Sequence, residues 1–202
     1  MSKIRSVGLA AMIFLAPGLS PAWAQQDTKS TLDAIGRDTA AGRYEEAWKS
    51  LRALEAELWD KRPLGISRAL FVARPATGFG VYVPRENADF QKGETLYIYI
   101  EPIGYGYERT EDTFRVAMSA DFELRTPTGQ VLAEQADFSK LTLESRSANR
   151  EFQTSFSFAF EGLDAGRYEL LIRIRDDNGG DPAETSLPFT VLPSEDPEAP
   201  QQ

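Results

Sequence analysis

The chain has 202 residues, with 22 lysines and arginines against 31 aspartates and glutamates, and a formal net charge of −9. It contains neither cysteine nor histidine. This composition excludes disulfides, cysteine nucleophiles, the serine–histidine–aspartate triad and the usual histidine-containing zinc sites. The negative charge repels phosphate backbones and anionic membrane surfaces, so we expect no nucleic-acid partner.

Residues 1–24 have the three parts of a secretory signal in the expected order. Lys3 and Arg5 supply a positive start, a short apolar run follows, and Ala22-Trp23-Ala24 gives the small-x-small cleavage pattern. The apolar run is shorter than the roughly 20 residues that span a bilayer, so we predict a cleaved signal rather than a membrane anchor. The mature chain would begin at Gln25, carry a net charge of −11 after loss of the two cations, and be periplasmic without inserting into the membrane.

Residues 25–62 are predicted to form a helical hairpin. Ser30 is the expected N-cap of the first helix, three residues before Asp33. The second helix carries apolar residues at intervals of three and four, which predicts one apolar stripe: Tyr44, Ala47, Trp48, Leu51, Leu54 and Leu58. Pro63 is expected to end this helix because proline lacks the backbone N–H group.

The connection between the two helices resembles a tetratricopeptide repeat. In that family a G-x-Y-x-x-A stretch packs one helix on its partner, and the matching positions here are Gly42, Tyr44, Ala47 and Leu51. The resemblance covers about 30 residues and one repeat, whereas stacked repeats need three or more units. It implies a single helical hairpin that docks on another surface, because an isolated pair of this length is marginally stable.

From residue 63 to 192 the hydrophobic period changes to two, which predicts β-strands. Every second residue points inward in three clear segments: Phe114–Leu124, Phe152–Phe160 and Tyr168–Ile174. About eight strands with a polar outer face are typical of an antiparallel β-sandwich. We therefore predict a mainly β fold with a short N-terminal α-hairpin. Residues 193–202 are rich in proline and acids and are predicted to be disordered.

The segment Phe160–Asp176 resembles the E–F corner and strand F of immunoglobulin-like domains. There a D-x-G-x-Y stretch places a tyrosine just after the corner, and Asp164, Gly166 and Tyr168 stand at those positions. The resemblance implies an immunoglobulin-like sandwich of bacterial envelope proteins, in which the tyrosine hydroxyl pins the loop to upstream backbone. The antibody cysteine pair is missing, so an antibody-type domain is not implied, and the fold class indicates no chemistry.

No catalytic residue, cofactor or metal site is predicted. The lysines of the mature chain show no S-x-x-K spacing, and Gly104–Glu108 lacks the lysine and helix of a phosphate loop. The turn Asp176–Pro182 offers side-chain oxygens but lacks the spacing and the terminal glutamate of a calcium loop, which favours a simple hairpin. A hydrolase that acts on envelope glycans through two opposed acids stays open as an alternative, but the abundance of carboxylates is no evidence for it, because 31 acids always allow some pair.

Four of the seven tyrosines fall within eleven residues: Tyr97, Tyr99, Tyr105 and Tyr107. Alternation with Leu96, Ile98 and Ile100 is expected to point the first two outward, and the last two follow Pro102 in a loop. Four bare tyrosines would exceed the apolar patch that soluble monomers tolerate. Either the helical hairpin covers them, or they contact a partner or ligand.

These observations favour an exported, non-enzymatic binding or assembly protein of the bacterial cell envelope. The four tyrosines would form its surface for an envelope protein or a neutral ligand, since tyrosine is favoured at interfaces. A homo-oligomer is also compatible with the sequence. The alternatives are the glycan hydrolase and a purely structural accessory subunit, which would pair through an exposed sheet edge.

Overall fold

The computed structural model describes the backbone of residues 22–193 and the side chains from residue 28 onward. Most of the predicted signal peptide and nearly all of the predicted disordered tail lie outside the described residues. The chain divides between Leu58 and Trp59 into two compact units. The expected limit lay after residue 62, so the last turn of the second helix belongs with the β-rich unit.

Two helices make up the described part of the first unit and the start of the second: α1 (Ala22–Ala40) and α2 (Tyr44–Lys61). Gly42 lies between them with a φ of +73°, a conformation that glycine adopts without steric cost. The helix α1 begins eight residues before Ser30, so the predicted N-cap at Ser30 was wrong. The preceding residues include alanine, glutamine and lysine, which are good helix formers and extend the helix upstream.

The apolar stripe of α2 is only partly covered. Ala47 and Leu54 are buried, whereas four other members of the stripe remain 44% to 70% exposed: Tyr44, Trp48, Leu51 and Leu58. The tetratricopeptide resemblance therefore stays a prediction. Neither helix, within the described residues, is apolar over a length that would cross a membrane.

Nine strands form within residues 22–193, all in the second unit: β1 (Gly65–Val72), β2 (Asp89–Phe90), β3 (Leu96–Ile103), β4 (Glu108–Arg109), β5 (Phe114–Arg125), β6 (Val131–Ser145), β7 (Thr154–Phe158), β8 (Gly166–Asp176) and β9 (Ala183–Val191). The first sheet has the antiparallel order β1-β3-β7. The second sheet has the order β2-β9-β8-β5, and both β4 and β6 pair with β5. All pairs are antiparallel except β2 with β9.

A single hydrophobic core joins the two sheets. Phe71 of the first sheet meets Phe189 of the second with ring centroids 6.1 Å apart, and Phe158 meets Phe122 at 4.9 Å. Most of the residues predicted to point inward from β5 and β8 are buried: Val116, Met118, Ala120, Leu124, Leu170, Ile172 and Ile174. The other three, Phe114, Phe122 and Tyr168, are half-buried, and Ser119, which was expected to point outward, is buried. The predicted mainly β antiparallel sandwich with two preceding helices is confirmed as a fold class, which does not assign a family.

The strand β6 stands at the edge of the second sheet. It pairs with β5 from Ser145 back to Val131, and no residue within 22–193 pairs with its other edge. The register shifts between the pairs Ala120↔Ser139 and Phe122↔Gln135, so residues 136–138 form a bulge. Asp137 in this bulge has a φ of +52°.

Candidate binding surface

The structure buries the two tyrosines that were expected in an exposed loop. Tyr105 has no exposed side-chain surface, and Tyr107 is half-buried. Both hydroxyl groups donate to the carbonyl oxygen of Asn149, at 2.9 Å and 2.7 Å. Burial raises the pKa of both phenols above the ordinary range, so both act as neutral hydrogen-bond donors. The predicted exposure of Tyr105 was therefore wrong.

The last turn of α2 explains why this segment folds inward. The indole N–H of Trp59 donates to the carbonyl oxygen of Tyr105 at 2.9 Å, and the two rings meet edge to face at 5.1 Å. Gly104 has a φ of +75°, and a Cβ atom there would lie 2.5 Å from the carbonyl oxygen of Pro63. The glycine thus allows the chain to pass against the end of the helix and to insert Tyr105 beneath it.

Tyr99 is also buried, on the opposite face of β3 from the core residues Ile98 and Ile100. Its hydroxyl donates to Glu101 Oε1 at 2.7 Å and accepts the N–H of Gly80 at 2.8 Å. Burial raises the pKa of Tyr99 to about 12; the Gly80 N–H opposes this rise and the Glu101 carboxylate adds to it. The predicted direction, away from the core, was right, but the predicted exposure was wrong.

Residues 73–84, which we call the 73–84 hairpin, cover Tyr99. The Ala73 N–H donates to the Val83 carbonyl at 2.8 Å, and the Thr77 N–H donates to that of Val81 at 3.1 Å. The tip is a turn that Gly80 closes with a φ of +70°. The ring of Tyr82 lies 4.3 Å from that of Tyr99. A segment of the same unit, rather than the helical hairpin, is therefore what shields this tyrosine.

The other side of the 73–84 hairpin presents three apolar side chains to solvent. Phe79, Val81 and Val83 are 40%, 58% and 43% exposed, and we call them the apolar row. Val81 and Val83 flank Tyr82, so in an extended segment they point away from the side chain that braces the hairpin. Phe79 lies in the turn at the tip. Tyr97 lies on the same face of β3 as Tyr99 and is half-buried, so its part in a binding surface stays a prediction.

Sequence reasoning missed the apolar row. The period of two separates Phe79, Val81 and Val83 from Tyr82, but both sets are apolar. The pattern therefore cannot indicate which set is covered. One signal in the sequence was usable: neither set is polar, and the segment has a glycine, Gly80, at its turn. This combination is expected for a hairpin with one face buried and the other face able to bind a partner.

A cavity lies on the outer face of the second sheet, beside the β6 bulge. It has a volume of roughly 390 Å³ and is lined by three acids, one arginine and three uncharged residues: Asp121, Glu123, Glu134, Arg173, Phe122, Gln135 and Ala136. Glu123 and Glu134 stand directly opposite each other in the β5–β6 ladder.

Most charges at this cavity are already paired. Arg175 binds Asp121 at 2.9 Å, Arg125 Nε binds Glu123 at 2.9 Å, and Arg173 binds Glu184 at 2.5 Å. Glu134 forms no ion pair within the described part of the chain. Among the same residues, no group of three or more acids is arranged to hold a metal ion.

The predicted corner is built from Asp164, Gly166 and Tyr168. The Tyr168 hydroxyl donates to the Asp164 carbonyl oxygen at 2.8 Å, and its ring stacks on Phe189 with centroids 5.6 Å apart. Gly166 opens β8 directly after the corner. The contribution of this bond to stability stays a prediction.

In the turn that was considered as a calcium site, the Asp176 carboxylate accepts hydrogen bonds from backbone N–H groups. Asp176 Oδ2 accepts the Gly106 N–H at 2.5 Å, and Asp176 Oδ1 accepts the Asn178 N–H at 2.9 Å. The side chain therefore ties the β8–β9 turn to the segment that follows β3.

No protein-family model matches the sequence, and no curated protein sequence matches it. Similar solved structures are distant. One is Pseudomonas fluorescens alkylpurine DNA glycosylase AlkC bound to DNA containing an abasic site analogue, with 9% identity, a TM-score of 0.34, and coverage of 64% of this chain and 30% of that chain. The chain thus spans less than a third of that protein's length.

Two further structures show the same degree of likeness. A conjugative transposon lipoprotein from Bacteroides eggerthii has 13% identity and a TM-score of 0.31, with 63% of this chain and 96% of that chain covered. The sporulation control protein Spo0M from Bacillus subtilis has 7% identity and a TM-score of 0.32, with 65% and 50% covered. Likenesses this weak support no conclusion about the function of this chain.

Proposed function

We propose that this chain is an exported, non-enzymatic binding or assembly protein of the bacterial cell envelope. The apolar row of Phe79, Val81 and Val83 is its contact surface for a partner protein. The observation that carries the proposal is that these three side chains are exposed together on a hairpin that buried groups brace from behind. Tyr97, which is half-buried on β3, is the predicted site residue that we include in this proposal.

The bracing supports a binding role because it reduces the entropy that a partner must remove. Tyr99 holds the hairpin through the Gly80 N–H, and Tyr82 stacks on Tyr99. A contact surface that is already ordered loses less conformational freedom on association than a mobile loop does. A phenylalanine flanked by two valines is suited to an apolar pocket at the centre of an interface, with polar groups at its rim.

The partner that fits this surface is a protein with an apolar groove rather than a polyanion. The exported chain would carry a net charge of −11, so association with an acidic surface would be opposed by long-range repulsion. Export is supported by the order of charge, apolar run and small residues in positions 1–24.

Site-specific photocrosslinking in cells tests the proposal. A photoreactive residue at position 79, 81 or 83 should give the same crosslinked partner, identified by mass spectrometry. Position 128, in the exposed β5–β6 turn, is the control and should give none. The serine substitutions Phe79→Ser and Val81→Ser should leave stability within about 0.5 kcal/mol of wild type, as for ordinary surface changes, and should remove a crosslink formed from position 83.

Two outcomes would contradict the proposal. The first is that positions 79 and 128 crosslink equally to the same proteins, which would show that crosslinking reflects the abundance of those proteins and not specific binding. The second is an unchanged crosslink from position 83 in the serine variants, which would show that the apolar side chains do not contribute to binding.

The glycan hydrolase stays the second candidate because of the cavity beside the β6 bulge. Glu123 and Glu134 are opposed there, as the two acids of a glycoside hydrolase would be. Hydrolysis of purified envelope glycan by the wild-type protein, lost in Glu134→Gln and retained in the apolar-row variants, would favour it. The absence of glycan hydrolysis by the wild-type protein would count against it.

A further inference from the structure

The free edge of β6 has backbone groups that point to solvent. The Ala117 carbonyl oxygen accepts the N–H of Asp177, so Ala117 directs its backbone toward the β8 side of β5. Successive residues of a strand direct these groups to opposite sides, so Val116 and Met118 face β6 and bond to Leu143 and Leu141. The residues between and beside these leucines therefore present their N–H and C=O groups at the free edge.

Those residues are Lys140, Thr142 and Glu144, and all three side chains are exposed. The segment Ser139–Ser145 reads S-K-L-T-L-E-S. Turned end for end, it places serine on serine, lysine on glutamate, leucine on leucine and threonine on threonine. The segment is therefore complementary to itself in the antiparallel direction.

We infer that this chain forms a two-fold symmetric dimer in which the β6 edges of two copies pair antiparallel, with the axis at Thr142. Lys140 then lies opposite the second copy's Glu144, and the symmetry repeats this pair. Such a contact is isologous, since the same patch is used by both copies. The proposal uses a different surface from the apolar row and does not depend on it.

The charges of the paired side chains favour this register. Lys140 uses two of its three N–H donors on Ser119 and Asp137, at 3.1 Å and 3.0 Å, so one donor remains for a carboxylate. Glu144 forms no ion pair within the described residues. Opposite charges and a threonine pair directly across two strands are each stabilising.

The core-facing side of the strand matches equally well. Leu141 is buried in the core, and Leu143 is half-buried against it. In the proposed pairing each Leu141 stands beside the second copy's Leu143 on the inner face. The two cores then continue across the joint, and the sheet becomes eight or more strands wide without burying an unpaired charge.

The bulge at 136–138 limits the pairing and sets its register. Edge strands commonly carry bulges and lysines that discourage association. Here the bulge ends the regular segment on one side, and Lys140 is matched by Glu144 rather than left alone. Seven paired residues a side fall well below the roughly 20–30 of a standard interface, so we expect a weak dimer with a dissociation constant in the micromolar range.

Analytical ultracentrifugation of the purified protein tests the dimer. The wild type should show a concentration-dependent equilibrium between monomer and dimer. Glu144→Lys places two like-charge pairs across the axis and should weaken the dimer at least about tenfold. Glu134→Lys, the same charge change on the same strand beyond the bulge, should leave it within about threefold of wild type. Thermal melts establish that each variant is folded.

A cysteine at the axis gives an independent readout, since the chain has no native cysteine. In Thr142→Cys the two thiols would face each other across a pair with Cα atoms about 5.5 Å apart, within the range of a disulfide. Mild oxidation should give a covalent dimer at least about tenfold faster than with Thr128→Cys, whose position lies in an exposed turn. A wild type that stays monomeric up to millimolar concentration, equal weakening by both lysine variants, or equal oxidation rates would each overturn the proposal.

Discussion

Three of the four tyrosines in residues 97–107 are held by hydrogen bonds from their hydroxyl groups. Tyr99, Tyr105 and Tyr107 each donate to a defined oxygen atom within the second unit. An unpaired buried hydroxyl would be costly, and a paired one contributes about 1 kcal/mol and holds its ring in one orientation. Tyr99 thus ties the 73–84 hairpin to β3, and Tyr105 and Tyr107 tie the segment after β3 to the backbone at Asn149. A cluster of tyrosines in a sequence does not distinguish this structural role from binding.

Tyr99 should make stability depend on pH in the alkaline range. Its pKa in the folded protein is raised to about 12, whereas an unfolded chain ionises tyrosine near pH 10. Its contribution is therefore fully present below about pH 10 and is lost as the pH rises from about 10 to about 12. Urea unfolding across about pH 8 to 11 should show a shallower alkaline loss for Tyr99→Phe than for wild type. Equal slopes for the two proteins would contradict the assignment.

Tyr168 should contribute one hydrogen bond and a packed ring at the corner before β8. Tyr168→Phe removes only the bond to the Asp164 carbonyl and should lower the free energy of unfolding by roughly 1 kcal/mol. Tyr168→Ala also leaves a cavity against Phe189 and should cost several kcal/mol. Chemical denaturation of both variants measures the difference, and equal small losses would show that the corner is not held by this side chain.

At the scale of elements, each of two loops is held in place by contacts with a neighbouring strand or helix. The 73–84 hairpin lies over Tyr99, and residues 104–107 pass against the last turn of α2. The first arrangement leaves the apolar row exposed, while the second buries Tyr105. Both loops contain a glycine with positive φ, Gly80 and Gly104, but only at Gly104 does neighbouring backbone occupy the space of a side chain.

Gly104→Ala should be severely destabilising. An alanine at a φ of +75° costs roughly 1–2 kcal/mol, and its Cβ would also lie 2.5 Å from the Pro63 carbonyl oxygen. Gly162→Ala is the matched control, because its φ is +79° and no atom lies within 4 Å of an added Cβ. Thermal and chemical unfolding should show a clearly larger loss for Gly104→Ala; similar losses for both variants would mean that the close approach to Pro63 relaxes at little cost.

At the scale of the whole molecule, the chain combines a helical unit with a β-sandwich that has no disulfide. The sandwich is held by packing between aromatic rings and aliphatic side chains of both sheets. Its surface carries three features that solvent reaches in the described chain: the apolar row, the cavity beside the β6 bulge and the free edge of β6. The apolar row belongs to the 73–84 hairpin, whereas the cavity and the free edge both involve β6, so apolar-row variants can serve as controls for the other two.

Mass spectrometry tests the predicted signal peptide directly. Intact-mass analysis of the protein recovered from the periplasm should show a 178-residue chain that begins at Gln25, because Ala22 and Ala24 fit the small subsites of signal peptidase. Ala24→Leu should block cleavage there and leave residues 1–24 attached. Recovery of soluble wild-type protein that retains residues 1–24 would contradict the predicted processing.

The sequence by itself determined the mainly β class, most of the inward residues of β5 and β8, and the absence of cysteine and histidine chemistry. These properties depend on composition and on a local period of two, which any strand displays whatever surrounds it. Only the tertiary structure decided which segment covers the outward face of each strand and which strand lies at the edge of the sheet. Tyr105 is buried by Trp59 and Asn149, which lie 46 and 44 residues away in the chain, and Tyr99 by a hairpin 19 residues away. The alternation of residue types along a strand shows that its two faces differ. Contacts between segments that are distant in the sequence decide which face is exposed to solvent, and therefore which residues are available for binding.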